Sequence, residues 1–206
     1  MRPALAAAFA FVAALAAQAA AAQAPTTETI VLLRHAEKPP RGLGQLDCQG
    51  LNRALALPAV LARLFARPAA LFAPNPAVEK PDHGGTYAYI RPLATIEPTA
   101  IALGQTVNIM LPYTDAAGLQ RALTAPEYHG ATVIAVWEHN TLMTVAKSLV
   151  QAFGGDAARV PAWPEDDYDS LFVVRVTWKG QQGKADFEKL QEDLNGRPAA
   201  CPGAPK

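Results

Sequence analysis

The chain has 206 residues, half of them apolar, and its 18 basic residues are matched by 18 acidic ones. That balance argues against a nucleic-acid-binding or anionic-membrane surface. Enough apolar residues are present to bury a sizeable core, and the length suits one domain behind a leader, since domains usually run to about 100–200 residues.

Met1–Arg2 gives a weakly positive start, followed by an almost unbroken Ala/Leu/Phe/Val run from Ala4 to Ala17 and by small residues in Ala-x-Ala patterns. Charge, apolar core and small-residue site in that order make a secretory signal peptide over residues 1–22. The apolar core is short for a membrane span, the alternative being an uncleaved anchor. The cut is expected between Ala19 and Ala24. Pro25 is a poor residue just past a cleavage site, so Ala22 or Ala19 is at least as good as Ala24. The remaining domain, 25–206, is then periplasmic or secreted. Export makes a disulfide between Cys48 and Cys201 chemically possible. The two lie near opposite ends of the domain, so their pairing depends on the fold.

Glu28–Leu33 is a short, continuous Ile/Val/Leu run and reads as a buried strand. Asn52–Phe65 has helical spacing with Pro58 inside, which kinks the helix or delays its start. Leu71–Ala73 is a brief strand closed by Pro74-Asn75-Pro76. Pro92–Leu103 is helical in pattern despite Pro98, and Ala116–Leu123 is a short helix. Thr132–Trp137 is a second continuous apolar strand. Thr141–Phe153 is an amphipathic helix stopped by Gly154-Gly155. Leu171–Trp178 is a further strand, Gly180–Gly183 a turn, and Lys184–Leu190 an edge strand in preference to a helix. The Gly/Pro-rich tail after Asn195 is expected to be mobile at its end. Apolar strands alternating with helices indicate an α/β fold, a three-layer α/β/α sandwich with a mainly parallel central sheet.

In such sheets ligands sit beyond the carboxyl ends of the strands. The first apolar strand runs straight into Arg34-His35-Ala36-Glu37, and Thr132–Trp137 runs into Glu138-His139-Asn140. A neutral imidazole is a competent nucleophile toward phosphorus. Phosphoryl oxygens call for cationic donors, and the planar Arg fork matches them best. An Arg directly before a strand-end His is therefore a sensible phosphoryl-transfer pair, although a single strand-end His is usually just a capping or surface residue.

Leu32-Leu33-Arg34-His35-Ala36-Glu37 resembles the Arg-His-Gly/Ala signature of the histidine phosphatase superfamily, the phosphoglycerate-mutase-like proteins. Leu46-Asp47-Cys48-Gln49-Gly50-Leu51-Asn52-Arg53-Ala54 is similar to that family's L-T/S-x-x-G-x-x-R/Q-A segment. Pro92-Leu93 with Thr99-Ala100 resembles its S-P-L-x-R-x-x-x-T-A segment, and Glu138-His139 stands where the family keeps its second His. These matches run in order from Val31 to about Val150. The resemblance implies that His35 becomes phosphohistidine, that Arg34 and His139 hold the phosphoryl oxygens, and that neither metal nor cofactor is needed. It also implies a small phosphorylated substrate.

One departure stands out in that alignment: Thr95 takes the place of the family's second Arg, while Arg91 takes the Ser position. Arg91, one turn away, is expected to reach the same phosphate. A leaving alkoxide needs a proton, so a nearby carboxyl with a raised pKa is expected. Glu138 is the preferred candidate over Glu37 and the acidic loop of Asp166, Asp167 and Asp169. Glu37 and His83 are expected to line the substrate pocket, His129 to be an ordinary loop residue and Arg53 to be structural. There is no pair of His at helical ligand spacing and no Cys cluster, so no metal site is expected.

These readings add up to a metal-independent phosphomonoester hydrolase. A phosphomutase of the same fold is the runner-up, weakened by the lack of a long basic insertion to grip a bisphosphate and by export. A non-catalytic phosphate-binding module is the third, favoured only by the Arg91/Thr95 departure. Stable membrane association after leader removal is not expected, and no feature specifies an oligomeric state.

Overall fold

A computed structural model of the chain describes residues 24–203; the leader expected over residues 1–22 lies outside the described residues. Eight strands follow in chain order: β1 (Thr26–Arg34), β2 (Ala70–Phe72), β3 (Glu79–Asp82), β4 (Gly85–Ala88), β5 (Val107–Asn108), β6 (Thr132–Trp137), β7 (Ser170–Lys179) and β8 (Gln182–Gln191). Four α-helices are interleaved with them: α1 (Cys48–Leu64), α2 (Arg91–Leu103), α3 (Ala116–Leu123) and α4 (His139–Ala152).

Six strands form one sheet in the order β5-β2-β6-β1-β7-β8. The pairs β5–β2, β2–β6 and β6–β1 are parallel, whereas β7 runs antiparallel to β1 and β8 antiparallel to β7. Side chains alternate across a strand, so a uniformly apolar run buries both faces. Ile30, Leu32, Val133, Ala135 and Trp137 pack with Leu119 of α3 and Leu142, Val145 and Leu149 of α4. Val31, Leu33, Ile134 and Val136 pack with Leu57 and Leu61 of α1 and Ile96 and Ala100 of α2. This is the three-layer α/β/α sandwich, with α1 and α2 on one side and α3 and α4 on the other.

Helix starts differ from the expected ones because side-chain caps set them. Helix α1 begins at Cys48, four residues earlier than expected, since Asp47 accepts the Gly50 N–H at 2.7 Å, and it continues through Pro58. Helix α4 begins at His139, since Glu138 accepts the N–H groups of Asn140 and Thr141. Strand β8 is an edge strand as expected, with Ala185 and Phe187 turned into the core, but the turn before it is tighter: Lys179 pairs with Gln182. The β3–β4 hairpin had no expected counterpart. Its first strand, Glu-Lys-Pro-Asp, carries no apolar alternation, and Gly84 at φ 82° makes the turn.

The tail is fastened as far as Cys201, and its last residues, 204–206, where mobility was expected, lie outside the described residues. Cys48, at the start of α1, forms a disulfide with Cys201, and Asn52 Nδ2 donates to the carbonyls of Pro198 at 2.9 Å and Ala200 at 2.8 Å. A bridge between residues 153 apart restricts the unfolded chain and is worth about 5 kcal/mol on a chain-entropy account.

Candidate active site

Strands β1 and β6 are parallel neighbours with Arg34 opposite Trp137, so the chain leaves both at the same sheet edge. His35 follows β1 directly, and its backbone N–H donates to Trp137 O at 2.9 Å. His139 is the first residue of α4. Arg34, His35, Arg91 and His139 are each 8% exposed or less.

The His35 ring is set in one tautomer. Nδ1 lies 2.9 Å from Ala36 O; a carbonyl only accepts, so Nδ1 carries the proton and Nε2 keeps its lone pair. Burial first, then the positive charges of Arg91, Arg34 and Lys38, hold its pKa well below the usual value against the opposing effect of the Ala36 bond. The imidazole is neutral near pH 7. Its loop is pinned to α2, because Ala36 N–H donates to Thr95 Oγ1 at 2.9 Å and Thr95 Oγ1 donates to Arg91 O at 2.8 Å. Tyr89 stands edge-on to the His35 ring at 6.1 Å, and Tyr168 is tilted against it at 6.2 Å.

Two arginines flank this imidazole. Arg34 Nη1 donates to the carbonyls of Pro164, Glu165 and Asp167, and the guanidinium lies 4.0 Å over the Tyr168 ring. Arg91 Nη1 meets the Asp82 carboxylate and Gly42 O. In both side chains Nε is buried without a partner, as are the Tyr89 hydroxyl and His139 Nδ1. Buried polar groups left unpaired are costly, and four of the seven such side-chain atoms among the described residues cluster around His35. Burial and then Arg34 lower the His139 pKa, against the pull of Glu138 and Glu165. The arrangement is a cluster of cationic donors around a neutral nucleophile, suited to phosphoryl oxygens.

Not every expected residue comes to this pocket. Glu138 does, but as an anion: Oε1 accepts Thr141 N–H at 2.5 Å and Thr141 Oγ1–H at 2.7 Å, and Oε2 accepts Asn140 N–H at 3.2 Å. Burial pushes its pKa up, but these bonds and Lys80 outweigh it and bring the carboxyl below the usual range. That is opposite to the shift expected of a proton donor. Glu37 turns away to Arg53, whose Nε and Nη2 donate to its carboxylate at 2.7–3.0 Å. Arg53 also reaches Asp169, Glu192 and Asn195. His83 is exposed at the tip of the β3–β4 hairpin. Asp166 is exposed, and the Asp167 carboxylate accepts from Asp169 N–H and Ser170. His129 stacks on Trp178 at 3.6 Å, ahead of β6 and so at the opposite edge of the sheet.

Arg91 is buried at the start of α2 with its charge acting on His35, and Thr95, one turn on, accepts the Ala36 N–H. Residues that sequence reasoning passed over are Tyr89, Tyr168, Lys38 and Lys80. Lys38 Nζ lies 3.6 Å from Asp82. Lys80, on β3, lies 4.6 Å from the Tyr113 ring centre and 5.4 Å from that of Tyr89. The turn signal Asp82-His83-Gly84-Gly85 was the available hint that this segment folds back on itself.

No protein-family model matches the chain, and no curated protein sequence is similar to it. Solved structures do match. A mycobacterial glucosyl-3-phosphoglycerate phosphatase bound to inorganic phosphate is 16% identical with a TM-score of 0.53, covering 78% of this chain and 95% of its own. SixA of Nakamurella multipartitia, described as a phosphohistidine phosphatase, is 16% identical with a TM-score of 0.51, over 80% and 96%. Phosphoglycerate mutase from Plasmodium falciparum is 12% identical with a TM-score of 0.51, over 81% and 92%. The chain therefore has the fold of the histidine phosphatase superfamily. That fold carries phosphatases and phosphomutases alike.

Proposed function

We propose that the chain is an exported phosphomonoester hydrolase that works through a phosphohistidine on His35. The observation that carries this reading is the neutral His35 ring, anchored through Nδ1 and flanked by the unspent Nε donors of Arg34 and Arg91 and the unpaired Nδ1 of His139. The Nε2 lone pair attacks phosphorus and the P–O bond to the alcohol breaks. The Arg34 and Arg91 forks and His139 hold the three equatorial oxygens as charge develops on them. Ala36 O accepts a hydrogen bond from Nδ1–H throughout, which stabilises the cationic ring formed on phosphorylation. Water then attacks the phosphohistidine, phosphate leaves, and Nε2 recovers its electron pair. The Cys48–Cys201 bridge supports export, because such bonds persist in oxidising compartments.

The test is hydrolysis of 4-nitrophenyl phosphate by the purified mature protein, dialysed against chelator. Turnover that survives chelation and disappears in His35→Ala is the expected result. Phosphate binding without turnover would instead favour the binding module, and transfer between two hydroxyls of one substrate the mutase.

A further inference from the structure

Phosphoryl transfer to His35 leaves an alkoxide that needs a proton, and two of the carboxylates near this site, Asp82 and Glu138, are held as acceptors. Asp82 receives Arg91, Lys38 and the His83 N–H, and its pKa falls to about 2 because these contacts, Arg91 foremost, overcome burial. Glu138 receives three donors from Asn140 and Thr141. A carboxylate whose oxygens are occupied by donors cannot supply a proton without giving up those bonds.

The β3–β4 hairpin brings a different acid. Lys80 Nζ sits against the rings of Tyr113 and Tyr89, the latter being edge-on to His35. It lies within 4.0 Å of no carboxylate among the described residues, in contrast to Lys38. Its three N–H groups donate to no acceptor there. The charged groups facing it are Glu138 at the start of α4, Asp82 on β3, Arg91 at the start of α2 and Lys38 in the loop after β1. Burial, Arg91 and Lys38 lower its pKa while Glu138 and Asp82 raise it, with a net fall.

Building on the phosphatase reading, we propose that Lys80 donates the proton to the leaving oxygen. As the His35 Nε2–P bond forms and the P–O bond breaks, one Lys80 N–H proton passes to the departing oxygen, leaving an alcohol and a neutral amine. In the second half-reaction that amine takes a proton from the attacking water as the O–P bond forms and the P–N bond returns its electron pair to Nε2. Protons balance over the cycle, and Lys80 is again an ammonium.

The experiment compares wild type, Lys80→Met and Lys80→Arg on a series of phosphate esters running from 4-nitrophenyl to simple alkyl phosphates. General-acid assistance is commonly worth about a hundredfold or more. Lys80→Met is expected to lose about that much on alkyl phosphates and only a few-fold on 4-nitrophenyl phosphate, whose leaving group needs no proton, so dependence on leaving-group pKa steepens. Lys80→Arg keeps the charge but cannot release a proton, and it should resemble Lys80→Met on alkyl esters. The alkaline fall in wild-type kcat/KM, where Lys80 loses its proton, should be absent from both variants. Equal loss across the series, or full rescue by Arg, overturns the proposal and leaves Lys80 a purely electrostatic residue. Absence of turnover in wild type on every ester would overturn the phosphatase reading itself, a separate and recognisable result. Vanadate binding near wild-type affinity confirms that the variants are folded.

Discussion

Arg53 and Arg91 are equally buried, at 1% and 2% exposure, yet they are wired in opposite ways. Arg53 spends its guanidinium on Glu37, Asp169, Glu192 and Asn195. Burial alone would lower its pKa, but the carboxylates Glu37 and Glu192 raise it instead. This ties together the loop after β1, helix α1, and the segments flanking β7 and β8. Arg91 meets one carboxylate through Nη1 and keeps Nε unpaired beside His35. A buried cation whose donors are all spent locks a fold, whereas one with donors in reserve can bind an anion. The distinction lies in the partners, since residue type and burial are the same.

Substitution separates the two regions. The largest effect falls on the nucleophile: His35→Ala should lower kcat by about 10⁴-fold or more, as loss of a covalent nucleophile generally does, with the melting temperature near wild type. Arg91→Ala should lower kcat/KM by about 10²–10³-fold, the usual cost of a charge-stabilising donor, with a smaller loss of stability than Arg53→Ala because Lys38 still faces the Asp82 left behind. Arg91→Lys should recover only part, since an ammonium cannot make the bidentate contact. Arg53→Ala should do the reverse. Leaving Glu37, Asp169 and Glu192 buried around no cation costs about 3–5 kcal/mol, read in denaturant titration, while the folded fraction keeps its turnover number. If Arg53→Ala abolished catalysis in a stably folded protein, the contrast would fail.

A smaller effect appears with pH. Burial raises the Glu192 pKa to about 8, even with Arg53 alongside. In the unfolded chain Glu192 titrates near the ordinary glutamate value, so across the interval between the two the native state binds more protons. Stability from this group is therefore full at acid pH and falls as pH rises to about 8, levelling beyond it. Glu192→Gln should flatten that slope in urea titrations from pH 5 to pH 9. An unchanged slope would place the pH dependence elsewhere.

The layers and most strands were legible because continuous apolar runs leave few alternatives. Thr132–Trp137 and Ala116–Leu123 match the expected bounds. The approach of His35 to His139 also followed from two strand ends, once the strands were parallel neighbours. The rest was less visible. Lys80 reaches the site on a hairpin whose strands, Glu-Lys-Pro-Asp and Gly-Thr-Tyr-Ala, have no core-facing period. Glu37 adjoins Ala36 in sequence and looked like a pocket residue, but Arg53 in α1 supplies a partner that only tertiary packing brings near. Glu138 was read as an acid because it precedes His139; as the α4 cap it accepts three bonds that bring its pKa below the usual range. The Pro92-Leu93 match placed Arg91 one turn from Thr95, and only the fold brings its charge to bear on His35.

The most direct test of the phosphohistidine account is to mix enzyme with 4-nitrophenyl phosphate, quench in alkali within a turnover and map the phosphorylated peptide by mass spectrometry. The account predicts one phosphoryl group on His35, stable to alkali, lost on brief acid treatment and absent from His35→Ala. Turnover with no phosphorylated peptide, or with the phosphoryl group on another residue, would contradict it.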